Sequence, residues 1–121
     1  MEADKATKKF EKEMKSGTAS LVLLSILAKA EEPLYGYLIA RRLETETGGE
    51  PLIKQGALYP VLRSLEGSSL LSSEVEASTS GPPRRYYRIT RQGRETLVAW
   101  KGIWDSIRNF VEVSLEGVGD E

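Results

Sequence analysis

Lys54, Gln55, Tyr59 and Arg63 bring together two cations, an amide and a phenol, and steps of four residues from Gln55 to Tyr59 to Arg63 put the last three on one stripe of a helix. These are the side-chain types that a DNA groove accepts: cations for phosphates, and amides, hydroxyls or guanidinium groups for base edges. Chemistry elsewhere in the chain is limited by what its 121 residues lack. With no histidine and no cysteine, the usual general base, thiol nucleophile, disulfide and thiolate or imidazole metal ligands are missing. No paired carboxylates, glycine-rich phosphate loop or nucleophile-base arrangement stands out, so an enzyme is the weakest expectation, and neither a metal nor a cofactor is expected.

The stripe belongs to residues 55–66, where Leu58, Val61, Leu62 and Leu65 recur at three- and four-residue spacing and form an opposite, buried stripe. Proline has no N–H, and only the first four N–H groups of a helix lack a partner within it, so Pro60 requires a start close to Gly56. Lys54 then sits just before the positive end of the helix dipole. Gly56 admits close approach of another backbone, and the free N–H groups beside it can take a phosphate. A plainer reading makes Gly56 a loop-to-helix transition and Tyr59 a partly buried aromatic. This helix alone leaves the two readings level, and the neighbouring segments have to decide.

Residues 1–15 interleave five lysines with acids around Phe10 and Met14, which leaves open a helical N-terminal extension or a frayed arm. Ser16-Gly17-Thr18 supplies cap-type residues before residues 19–30, a segment apolar nearly all round and therefore central to the core. Glu31-Glu32-Pro33 ends it. Residues 34–46 read as a second amphipathic helix, with Tyr35, Leu38, Ile39 and Leu43 on one face and Arg41, Arg42, Glu44 and Glu46 outside it. Thr47-Gly48-Gly49-Glu50-Pro51 breaks the chain before the opening stripe.

After Gly67 the period changes to two. Leu71, Ser73 and Val75 alternate with Ser72, Glu74 and Glu76; residues 77–83 read as a loop; Arg85, Tyr87 and Ile89 then alternate with Arg84, Tyr86 and Arg88. Three helices followed by this hairpin predict a mainly α fold with a small β-hairpin wing, a winged helix-turn-helix whose third helix enters the major groove. Arg84, Arg85, Arg88, Arg91 and Arg94 follow one another with no acid between residues 77 and 94, whereas residues 95–121 carry six acids against Lys101 and Arg108. The net charge of −1 conceals this asymmetry, and local positive potential is what phosphate contact needs. The competing reading of the arginines is a sheet edge protected by charge.

Thr90 caps a final helix over residues 91–116, where Leu97, Trp100, Trp104, Ile107, Val111 and Ser114 follow coiled-coil spacing and Ile103 and Phe110 widen the seam. Its apolar surface exceeds what three short helices can cover, so pairing with a second copy is expected, the alternative being packing within the chain. The domains expected are residues 16–90, the winged helix-turn-helix, and residues 91–116, the dimerisation helix, with a flexible tail at 117–121. No apolar run reaches membrane-spanning length and the N-terminus is charged, so a soluble, cytoplasmic protein is expected.

Leu34-Tyr35-Gly36-Tyr37, Gly56-Ala57-Leu58-Tyr59-Pro60-Val61-Leu62-Arg63-Ser64-Leu65-Glu66, and Arg85-Tyr86-Tyr87-Arg88-Ile89-Thr90-Arg91-Gln92-Gly93 together resemble the PadR family of transcriptional regulators, in its short-tailed branch. The resemblance covers about residues 17–115, and the combination of the second and third segments is more specific than either alone. It implies a homodimer that presents two recognition helices to a pseudo-palindromic operator, and a repressor that leaves DNA when a small molecule or stress signal acts. It maps DNA contact onto Lys54, Gln55, Tyr59, Arg84 and Arg85. With the residues' own pattern, the candidate DNA-binding set is Lys54, Gln55, Gly56, Tyr59, Arg63, Arg84, Arg85, Tyr86 and Arg88. The candidate dimer interface is Leu97, Trp100, Ile103, Trp104, Ile107, Phe110 and Val111. An effector pocket near that interface is implied at Trp100 or Trp104, with seam packing as the alternative role. The rival function is a winged-helix protein-interaction module that never touches DNA.

Overall fold

The computed structural model describes residues 2–47 and 52–119; the rest of the break predicted at residues 48–51 and the last two residues of the tail lie outside the described residues. Among the described residues the order is α1 (Glu2–Lys29), β1 (Leu34–Tyr35), α2 (Gly36–Thr47), α3 (Gln55–Gly67), β2 (Leu71–Ser78), β3 (Gly81–Ile89) and α4 (Arg91–Ser114). Helices predominate and the sheet is the wing, as the patterning predicts.

One core gathers the apolar faces of these elements. Leu23, Leu24, Ile26 and Leu27 of α1 meet Ile39 and Leu43 of α2, Leu58, Leu62 and Leu65 of α3, and Leu71 and Tyr87 of the sheet. The segment apolar nearly all round is therefore central, as expected. Its start is not. The cap-type residues at Ser16-Gly17-Thr18 begin no helix, because α1 runs through them from Glu2. The Thr18 hydroxyl instead donates back to the Met14 carbonyl at 2.9 Å, the bond by which a mid-helix threonine satisfies itself. Residues 2–15 are thus the first half of α1.

Three further expectations need correction. Leu34 and Tyr35 do not open the second helix; they form β1 and pair with Tyr87 and Tyr86, so the wing is a three-stranded sheet in the order β1-β3-β2. The loop expected over residues 77–83 shrinks to a turn at Thr79 and Ser80, with a register shift between Glu76 and Ser78. Pro82 and Pro83 fit within β3 because β1 pairs only as far as Tyr86, which leaves that side of the strand without a ladder at its tip. Pro60, finally, is the sixth residue of α3 rather than one of the first four, although the helix does start close to Gly56, at Gln55. The bond that the Gly56 carbonyl would accept is lost, but both residues are exposed and water can replace it.

Two glycines fix how the elements meet. A Cβ on Gly36, at the start of α2, would overlap the hydroxyl and ring of Tyr59 on α3; a Cβ on Gly93 would overlap the backbone carbonyl of Leu70. Gly93 also donates its N–H to the Thr90 hydroxyl at 2.9 Å, while that hydroxyl donates to the Ser69 carbonyl at 2.7 Å. Thr90 is the N-cap of α4, as predicted, and it also ties that helix to the end of α3. Gly36→Ala and Gly93→Ala should each destabilise the fold by about 1–3 kcal/mol in urea unfolding. Tyr59→Leu should relieve the first cost, because its obstacle is a side chain, whereas a backbone obstacle leaves the second without such a partner. Additive costs for Gly36→Ala and Tyr59→Leu would mean that the two residues are not in contact.

Candidate nucleic-acid surface

On α3 the two stripes separate as their spacing requires. Leu58 and Leu62 are fully buried and Leu65 nearly so, while Lys54, Gln55, Gly56 and Arg63 are exposed and Tyr59 retains 41% exposure. Lys54 is the N-cap residue and closes the first turn through its carbonyl, which accepts from the Ala57 N–H at 2.9 Å. Its ammonium group is a donor only and caps none of the free N–H groups, so the positive end of the helix is left without a side-chain cap. Among the described residues, no side chain or backbone from elsewhere approaches the position of a Cβ on Gly56 within 4 Å, and Gly56 is exposed. Tyr59 has two roles at once: its hydroxyl rests on Gly36, setting the α2–α3 angle, and the remaining ring surface faces solvent.

Alternation along the wing divides its candidate residues between two faces. Val75 pairs with Arg85 and Ser73 with Tyr87 on the side toward α3; Glu76 pairs with Arg84, Glu74 with Tyr86 and Ser72 with Arg88 on the outer side. Arg85 donates to the Ser73 hydroxyl at 2.9 Å, and that hydroxyl donates to a Glu66 carboxylate oxygen at 2.6 Å, linking the wing to the last turn of α3. Tyr87, below this link, is buried, and burial together with the Glu66 charge pushes its hydroxyl above the usual tyrosine range. Outside, a shallow cavity of about 230 Å³ is lined by Glu32, Glu74, Glu76, Tyr86 and Arg88 among others. Potential on the outer face is mixed, because acids from β2 face the arginines of β3. Arg91 and Arg94 do not join the wing. Arg91 lies 3.7 Å from Glu95 along α4, and Arg94 donates to the Ala28 carbonyl of α1 at 3.4 Å.

A third group of residues runs from the outer face of the wing to α2. Arg84 sits over the Tyr35 ring, 4.4 Å from its centroid; Tyr35 meets Tyr86 edge-on at 5.3 Å and stacks with Tyr37 at 6.3 Å. Arg41 closes the series by donating to the Tyr37 hydroxyl at 3.2 Å, a bond that raises the guanidinium still further above its ordinary value. The spacing of four between Tyr37 and Arg41 was visible in the chain, but placing Tyr35 in a helix concealed its pairing with Tyr86.

The seam of α4 also divides. Leu97 and Trp100 pack against the chain's own core, and Trp104 is half-buried. Ile103, Ile107, Phe110 and Val111 are exposed, Phe110 by 75%. Between α1 and α4 lies an open groove of about 510 Å³ whose walls include Met14, Leu21, Trp100, Ile103, Trp104 and Ile107.

The model of the family "Transcriptional regulator PadR-like family" matches residues 23–99, from the buried half of α1 into α4. The chain belongs to the PadR-like family of transcriptional regulators. A crystal structure of a PadR family transcriptional regulator from Eggerthella lenta is similar over 97% of this chain and 98% of its own, with 33% identity and a TM-score of 0.79. A PadR-like transcriptional regulator from Bacillus cereus is similar over 87% and 98%, with 30% identity and a TM-score of 0.69. An uncharacterized protein of Lysinibacillus sphaericus is 29% identical over 99 residues, which are 82% of this chain and 88% of that one. The family match includes the three strands, α3 and the cap of α4, so the PadR scaffold carries both the exposed polar stripe and the wing. No helix among the described residues is long and apolar enough to cross a membrane.

Proposed function

We propose that this PadR-like chain is a homodimeric, sequence-specific DNA-binding transcriptional regulator, a cytoplasmic repressor that a small-molecule or stress signal releases from a pseudo-palindromic operator. One observation carries the reading: the exposed stripe of Lys54, Gln55, Tyr59 and Arg63 on a helix whose other face is anchored in the core. Lys54 and the N–H groups near Gly56 take a phosphate, and Gln55, Tyr59 or Arg63 reach base edges. The wing adds Arg84, Arg85, Tyr86 and Arg88 to the flanking backbone. Arg85, on the face toward α3, is the best placed of them.

The uncovered side of α4 supports the dimer. Ile103, Ile107, Phe110 and Val111 continue the packed side of Leu97, Trp100 and Trp104, and an isologous pairing of two such helices would cover them. The groove beside Trp100 and Trp104 supports an effector site that borders this interface, within reach of the helix that sets the separation of the two α3 copies.

The test is the DNA that purified protein enriches from a random duplex pool. Two symmetric half-sites, with centres about one helical turn or a multiple of it apart, are expected of a two-fold dimer. No enrichment at low salt, together with a protein partner recovered by pull-down, would transfer the wing to protein interaction and overturn the DNA reading.

A further inference from the structure

We propose that Tyr35 and Tyr37 are positioning residues for DNA, holding Arg84 of β3 and Arg41 of α2 as two guanidinium groups that grip the sugar-phosphate backbone beside the groove entered by α3. This inference rests on the DNA-binding reading above and adds three residues to it: Tyr35, Tyr37 and Arg41.

The four side chains form one series across three elements. The guanidinium carbon of Arg84 is 4.4 Å from the centroid of the Tyr35 ring, Tyr35 stacks with Tyr37 at an interplanar angle of 21°, and Arg41 bonds to the Tyr37 hydroxyl. A guanidinium held over a ring face has five N–H donors, more than that one contact can occupy, and keeps others for a phosphate. The bond from Arg41 to Tyr37 likewise uses one donor of five. Both cations are therefore held by aromatic groups without being consumed. Long arginine side chains otherwise lose rotamer entropy on binding, and holding them beforehand reduces that loss.

Position ties the series to the recognition stripe. Gly36 lies between the two tyrosines and is the residue on which the Tyr59 hydroxyl rests. Tyr37 is 51% exposed and Arg41 is exposed, so the α2 end of the series opens to solvent beginning one residue after that contact. Tyr86, on the same face of the wing as Arg84, adjoins the series through its edge-on contact with Tyr35.

The experiment is a double-mutant cycle on the affinity of the full chain for the duplex it enriches, read at several salt concentrations. Tyr35→Leu should weaken binding about fivefold for each half-site, the scale of one lost cation-ring contact per protomer, and have no further effect once Arg84→Ala is present. Tyr35→Phe, which keeps the ring, should bind as the unmodified protein does. Arg41→Ala, on an exposed position that leaves the core intact, should flatten the dependence of log affinity on log salt by about two units, one for each protomer of the dimer. Losses from Tyr35→Leu and Arg84→Ala that simply add, or an Arg41→Ala slope equal to that of the unmodified protein, would overturn the proposal while leaving DNA binding intact. Failure of the unmodified protein to bind any duplex would overturn both.

Discussion

Phe110→Glu is expected to yield a folded monomer by analytical ultracentrifugation and to lower operator affinity by about a hundredfold or more, because two linked half-site contacts become two separate ones. Phe110 is 75% exposed in the single chain, so a carboxylate there costs the protomer little. In a two-fold interface each substitution occurs twice, and two unpaired carboxylates would be buried against apolar side chains. Trp104→Glu is the more obvious variant but a poorer one. Trp104 is half-buried and lines the groove against α1, so its loss also disturbs packing within the chain. A dimer that survives Phe110→Glu with an unchanged dissociation constant would move the interface away from the seam.

Arg84→Ala combined with Arg85→Ala should weaken binding to every duplex and reduce the salt slope by about four units, because the dimer loses two phosphate contacts in each half-site. Gln55→Ala should behave differently, keeping the slope and losing about 1–3 kcal/mol of discrimination at one base pair. The contrast follows from position. Arg84 and Arg85 lie on a wing at the flank, whereas Gln55 is the first residue of α3 and carries no charge to release counterions. Removing Arg85 leaves the bond from Ser73 to Glu66 in place, so the wing keeps its attachment to α3 and the effect reads as lost charge. An unaltered slope in the double variant would remove the wing from the DNA interface.

The features legible in the chain were those decided by near neighbours. The stripes of α3 and the extent of α4 follow from three- and four-residue steps, and Thr90 announced its cap because its partner Gly93 is three residues away. Wing alternation also assigned every residue to the right one of two faces, since the period of a strand is local. What escaped depends on distant partners. Leu34 and Tyr35 form a strand because Tyr87 and Tyr86 lie beside them, more than fifty positions further along the chain, and nothing in their own neighbourhood announces that pairing. Ser16-Gly17-Thr18 has the composition of a helix start, but the Thr18 back-bond satisfies its hydroxyl and lets α1 continue. Gly36 and Gly93 stand in the segments that resemble the family, yet their reasons are the Tyr59 ring and the Leu70 carbonyl, which only the folded chain brings near. The same holds for Arg91 and Arg94, counted with the wing by sequence order but engaged by Glu95 and Ala28.

The join between β3 and α4 has a mechanical consequence. Only Thr90 separates the last residue of the strand from the first of the helix, and Thr90 is bonded to Ser69 and Leu70 at the end of α3. There is no slack at this pivot. With 24 residues at about 1.5 Å each, α4 is roughly 36 Å long, and Leu97 and Trp100 fasten its first half to the core, so residues 101–114 project about 20 Å beyond that anchor. The anchored half and Thr90 join this projection to α3 and the wing as one stiff head on a long handle.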